Sequence, residues 1–218
     1  MNIDFLSMGN TYGSLSKKFG GSFPAWRSTN PSATSGGILS PLPAVGTFIP
    51  SGTMVSLDHT GGTCKIIKSW YAAAVATNVA TSIKVKLASI YTVKPVVGDF
   101  IMVAPSTVAT TGQGAEITAV AVDSTDASGL TYDVTLAATL GTALTTSTIL
   151  ISADSDEATA SILAKPYGFS GRDINITEGI TNAAVEVVFD GVLFSDRVQP
   201  VPDCVKSILP KITLENEY

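Results

Sequence analysis

The side chains able to do chemistry in this chain are few and scattered. Its one histidine, His59, stands in the run Asp58-His59-Thr60-Gly61-Gly62, which reads as a hairpin tip. Serine and cysteine nucleophiles need an imidazole held against its partners and away from water, and a solvated turn does not provide that. The two cysteines, Cys64 and Cys204, lie far apart and in no Cys-x-x-Cys spacing, so a zinc ion would find one imidazole and two distant thiols. Asp154-Ser155-Asp156-Glu157 looks superficially like a run of calcium ligands, but it lacks the glycine and the distal glutamate of an EF-hand loop. It reads as a solvated acidic turn, and so does Asp123-Ser124-Thr125-Asp126. Gly112-Gln113-Gly114 has neither the lysine nor the strand-to-helix setting of a phosphate loop. Asn175-Ile176-Thr177 fits the glycosylation acceptor pattern, a chance match without a secretion signal. Spacing alone picks no carboxylate pair for glycoside hydrolysis out of eighteen acids. The expectation is a chain that is not an enzyme and has no cofactor and no metal.

Composition points to strands. Of 218 residues 45% are hydrophobic and 14% charged, against about 25% charged in an average globular chain. Disordered chains show the opposite balance. Low charge with abundant Thr, Ser, Ala, Val and Ile suggests an all-β protein with much of its surface packed on partners. The net charge of −5 argues against a nucleic-acid binder that works by neutralising phosphates. No uninterrupted apolar stretch of about 18 residues proposes a transmembrane helix. The start, Met1-Asn2-Ile3-Asp4-Phe5, lacks a basic region and an apolar block, so synthesis and retention in a cytoplasm are expected. With only two cysteines the chain is no disulfide scaffold, and buried free thiols are expected. Charge is uneven: residues 1–45 carry Lys17, Lys18 and Arg27 against Asp4, net +2, whereas 71–164 carry three lysines against eight acids, net −5.

The elements follow from turn chemistry and alternation. Residues 1–45, rich in Gly, Ser, Thr, Asn and Pro with scattered single aromatics, hold no period and read as an arm that orders along another subunit. Lys17, Lys18, Phe19, Phe23, Trp26 and Arg27 are its candidate docking residues, the aromatics as anchors and the lysines as rim charges. Thr47 to Val55 reads as strand, turn, strand, and Thr63 to Lys68 as the return strand of the His59 hairpin. Ile83-Lys84-Val85-Lys86-Leu87 alternates strictly. With Phe100 to Val103, Ile117 to Val122, Tyr132 to Leu136 and Thr148 to Ile151 it makes a small barrel or sandwich over 71–154, inserted into a discontinuous domain of 46–70 plus 155–218. Residues 154–161 could form a short acidic helix. Val185 to Phe189, Asp190-Gly191 and Val192 to Phe194 read as a hairpin. Pro202 and Pro210 bracket a helix over Asp203 to Leu209, and Ile212-Thr213-Leu214 a last strand.

Two stretches carry a resemblance. Gly46-Thr47-Phe48-Ile49-Pro50-Ser51-Gly52-Thr53-Met54-Val55, together with Pro166-Tyr167-Gly168, the Val185–Phe194 pattern and the ending Leu209-Pro210-Lys211-Ile212, resembles the capsid decoration, or head-stabilising, proteins of tailed bacteriophages. The match covers about 46–70 and 160–214; residues 71–154 have no counterpart in the compact members of that family. The resemblance implies a β-rich fold with one or two short helices that binds the outside of a phage capsid. Its partners would be the major capsid protein and copies of itself, as a homotrimer or other small oligomer, with no direct nucleic-acid or membrane contact. The insertion would project outwards. Other readings are a head fibre, tail or baseplate part, or a carbohydrate-binding β-sandwich using Trp70, Tyr71, Tyr91 or Tyr132.

Overall fold

The structure is a computed structural model, and it describes residues 25–30, 34–90 and 92–216. These described residues are almost all β, with one short helix among them. The middle of the chain closes into a six-stranded antiparallel barrel. Its strands are β6 (Ser69–Ala72), β7 (Ser82–Lys86), β8 (Phe100–Val103), β9 (Gly114–Val122), β10 (Thr131–Leu136) and β11 (Ile149–Ser152), in the order β10-β7-β6-β11-β8-β9. Closure leaves no open edge. The alternation in β7 acts as expected: Ile83 and Val85, with Leu87 beyond the strand end, turn inward, while Lys84 and Lys86 face out. Inside, they meet Trp70, Ile101, Ile117, Val134 and Leu150.

The flanking chain builds a body of three sheets. The largest has five strands: β4 (Met54–Val55), β12 (Gly168–Ser170), β14 (Ala184–Val188), β2 (Thr34–Leu39) and β5 (Thr63–Cys64), in that order. A two-stranded sheet pairs β3 (Phe48–Ile49) with β13 (Ile174–Asn175). The third holds β1 (Trp26–Thr29), β15 (Gly191–Phe194) and β16 (Ile212–Glu215), with β15 and β16 parallel. Successive side chains on a strand point to opposite faces. In β4, Met54 therefore enters one core with Phe169 and Leu193, while Val55 enters another with Val185, Val187 and Cys64. The helix α1 (Asp203–Lys206) starts after Pro202, and its Cys204 and Val205 close the first of these cores. Both cysteines are free and buried, and burial pushes both thiols up from their ordinary pKa.

Three expectations are corrected. Asp190-Gly191 is not a hairpin turn, because β14 and β15 belong to different sheets and the dipeptide carries the chain from one to the other. Gly191 is needed for clearance: a Cβ there would lie 2.6 Å from the Ser28 carbonyl oxygen and 2.9 Å from the Trp26 ring. The acidic run 154–161 is not a helix. Asp154 Oδ1 accepts from the Ser161 amide at 2.8 Å, and short bridges pair Ala153 with Ile162 and Ala160 with Gly112. The segment is thereby held as a loop against the barrel. The helix between the two prolines is four residues long, about half the expected length.

On the barrel exterior, Asp123 is a buried carboxylate. Lys84 Nζ donates to its Oδ2 at 2.5 Å, and the Thr125 hydroxyl and amide donate to its Oδ1 at 2.7 and 2.9 Å. These bonds, the lysine's first, lower its pKa from 3.8 to about 2. A carboxyl whose folded pKa is lowered contributes stability above its unfolded pKa and loses it as pH falls through the folded value. Asp123→Asn should therefore be less stable at neutral pH and show a flatter stability profile between pH 3.8 and about 2 than the wild type, read by urea melts across that range. Gly191→Ala should cost about 1–3 kcal/mol in the same assay through forced displacement of the Trp26 ring and the β1 backbone.

Candidate functional site

Of the six expected docking residues, Lys17, Lys18, Phe19 and Phe23 lie outside the described residues. Trp26 and Arg27 do not stand free. Ala25 is buried against the corner between β3 and β4, where Gly52 adopts φ +79° and a Cβ would lie 2.8 Å from that of Ala25. The Trp26 indole packs edge-on to Phe169, with ring centres 6.4 Å apart. Its Nε1 donates to the Ser170 carbonyl at 2.9 Å. Ser170 is itself fully buried, donating from its hydroxyl to the Pro50 carbonyl and accepting from the Thr53 amide. Arg27 forms an ion pair with Glu215, across β15 from it. The chain around Trp26 is thus the fixed root of whatever precedes it.

The same holds for most of the stretch read as an arm up to residue 45. β2 lies inside the five-stranded sheet, between β14 and β5. Its glycines fall in the stretch read as an arm, yet Gly37 lets the strand pass close to its neighbours: a Cβ there would lie 2.6 Å from Cys64 Sγ.

A second feature is a half-open groove of roughly 630 Å³ where the body meets the barrel. The loop between β2 and β3 supplies Pro41, Pro43 and Phe48, and the segment after β5 supplies Ile66. The long β7–β8 connection supplies Ile90 and Val96. Two side chains from outside it, Trp70 and Lys68, help to hold that connection in place. Trp70 Nε1, from the barrel core, donates to the Val93 carbonyl at 2.8 Å. Lys68 Nζ donates to both Asp99 carboxylate oxygens at 2.7 Å, and Asp99 also accepts from the Val96 amide at 2.9 Å. Lys65 and Lys94 line the groove from exposed positions. Among the described residues neither ammonium forms a salt bridge.

His59 stays exposed at its turn, edge-on to Tyr167 with ring centres 4.8 Å apart. Among the described residues no group of three or more His, Cys, Asp or Glu side chains gathers as a metal site. Of the aromatics that a glycan platform would need, Trp70 and Tyr132 are buried in the barrel core. Tyr71 is partly exposed and Tyr91 lies outside the described residues. Sequence reasoning missed the groove altogether. Its lining comes from loops distant in the chain, and the one local signal was the pair of prolines 41 and 43 beside exposed Val45.

Comparison with known proteins found no family model, no curated protein and no solved structure that matches the chain. The class that fold and site define is therefore a coarse one: a β body with an inserted closed barrel and an apolar, cation-rimmed groove at their joint.

Trp26→Phe keeps an aromatic against Phe169 but loses the bond to Ser170, so it should cost about 1 kcal/mol in urea melts. Trp26→Ala should cost roughly 3 kcal/mol. A free docking anchor would leave stability unchanged in both.

Proposed function

We propose that this chain is a structural virion protein that binds the outer surface of a phage capsid and decorates it, with the major capsid protein and copies of itself, as a homotrimer or other small oligomer, for partners. The observation that supports this reading is the way the two resembling stretches fold onto each other. Residues 46–70 and 160–214 are separated by the whole barrel, yet Val55 pairs with Gly168, and Ile49 with Ile174. They form one body, as a single ancestral unit interrupted by an insertion would. A binder of this kind opposes opening of the shell by mass action, because it binds the assembled lattice and not the separate subunits. Many identical contacts around the shell then add through avidity.

In this reading the docking ribbon is residues 1–24, and its root at Ala25 to Thr29 transmits load into the β1-β15-β16 sheet. Lys17, Lys18, Phe19 and Phe23 make the contact, while Trp26 and Arg27 hold the root. The purified chain should co-sediment saturably with undecorated capsids of the phage that encodes it. Removing residues 1–24, which leaves β1 intact, should weaken that binding about tenfold or more. Absence of saturable binding by the full chain would refute the capsid role. Full binding by the truncated chain would refute the ribbon.

A further inference from the structure

The apolar lining of the groove does not stop at its mouth. Ile90 and Val96 line it while 45% and 52% exposed, and Val97 and Val45, next in the chain to lining residues, are 57% and 65% exposed. Single exposed aliphatic side chains are ordinary, but a run of them continuous with a groove marks an interaction surface. A small-molecule site encloses most of its ligand. This one is only half enclosed, which leaves room for a polypeptide laid across it.

Charge narrows the choice of occupant. Lys68 is neutralised by Asp99, which leaves Lys65 and Lys94, among the described residues, as two cations without a salt bridge at the groove of a chain whose net charge is −5. Such a rim attracts carboxylates and repels the lysine pair of the chain's own N-terminal segment, Lys17 and Lys18. An extended strand sends alternate side chains to opposite sides. Apolar side chains can therefore seat between Ile66, Ile90 and Val96 while neighbouring carboxylates reach the two ammonium groups.

We propose that the groove at the body–barrel joint binds an extended segment of the shell subunit in which acidic and apolar side chains alternate. This gives the decoration role a second contact, made by the globular part of the chain. It rests on that role only for the source of the segment; the chemistry of the groove stands apart from it.

The test uses the full isotope-labelled chain and two synthetic peptides, one alternating glutamate with leucine and one with lysine in place of glutamate. The glutamate peptide should give saturable NMR shifts confined to amides around Ile66, Ile90 and Val96, and the lysine peptide none. The double variant Lys65→Glu/Lys94→Glu changes two exposed side chains, so its spectrum elsewhere should be unchanged. Its Kd for the glutamate peptide should rise about tenfold or more. Three results would overturn the assignment: no saturable shifts, an equal response to both peptides, or an unchanged Kd in the double variant. Self-association in ultracentrifugation that the double variant abolishes would also overturn it, because the groove would then belong to a second copy. Peptide binding without capsid binding would keep the acidic–apolar chemistry and remove the shell as its source. Capsid binding by the double variant at full strength would remove the shell in the same way.

Discussion

Two strands, β8 and β11, hold the molecule together by being buried on both faces. Ile101 and Leu150 point into the barrel, and Met102 and Ile151, their chain neighbours, point into the body core with Met54, Phe169 and Leu193. Each such side chain contributes about 1.5–3 kcal/mol when fully buried. The barrel and the body therefore share a wall and do not merely touch. Polar bonds close the same joint. Gln199 Nε2 donates to the Ile67 carbonyl at 2.7 Å, and the Lys68 amide donates to Ser152 Oγ at 3.0 Å, both where the chain passes from body to barrel. The groove exists because this wall fixes the β7–β8 connection beside the proline-rich loop of the body.

Local patterns were the legible part of this fold. The alternation in β7 and the four apolar residues of β8 located barrel strands, and the continuous run in β8 already carried the mark of burial on both faces. The glycines were the misleading part. Gly36 and Gly37 read as part of a docking arm and Gly191 as a turn, yet all three lie within strands. At Gly37 and Gly191 the missing side chain makes room for a sulfur in one case and for an indole ring and a carbonyl in the other. A sequence shows that a glycine is present but not what would collide with anything larger. Which sheet receives β14 or β15 depends on pairings with residues about 150 positions away, such as Trp26 with Leu193, and no local pattern encodes that. Trp26 and Arg27 were singled out as docking residues, and their partners within the fold, Ser170 and Glu215, were out of view.

In the proposed role charge decides which surfaces face the shell. The N-terminal segment brings lysines and aromatic rings, and the groove brings lysines around an aliphatic floor, so both would face an acidic shell. The barrel, with its eight acids between residues 71 and 164, would be repelled by the same shell and held away from it. In that role one electrostatic preference would orient the whole molecule.

The sheet that anchors β1 has an unusual time order. Its central strand and its far edge are made from residues 191–215, so the strand at Trp26 must wait through the synthesis of the whole barrel before it has anything to pair with. Long-range pairing of this kind is slow, because the intervening loop must close first. β1 is consequently among the last of the described strands to find its partner. In the proposed role, an incomplete copy would therefore lack the anchor for its docking segment.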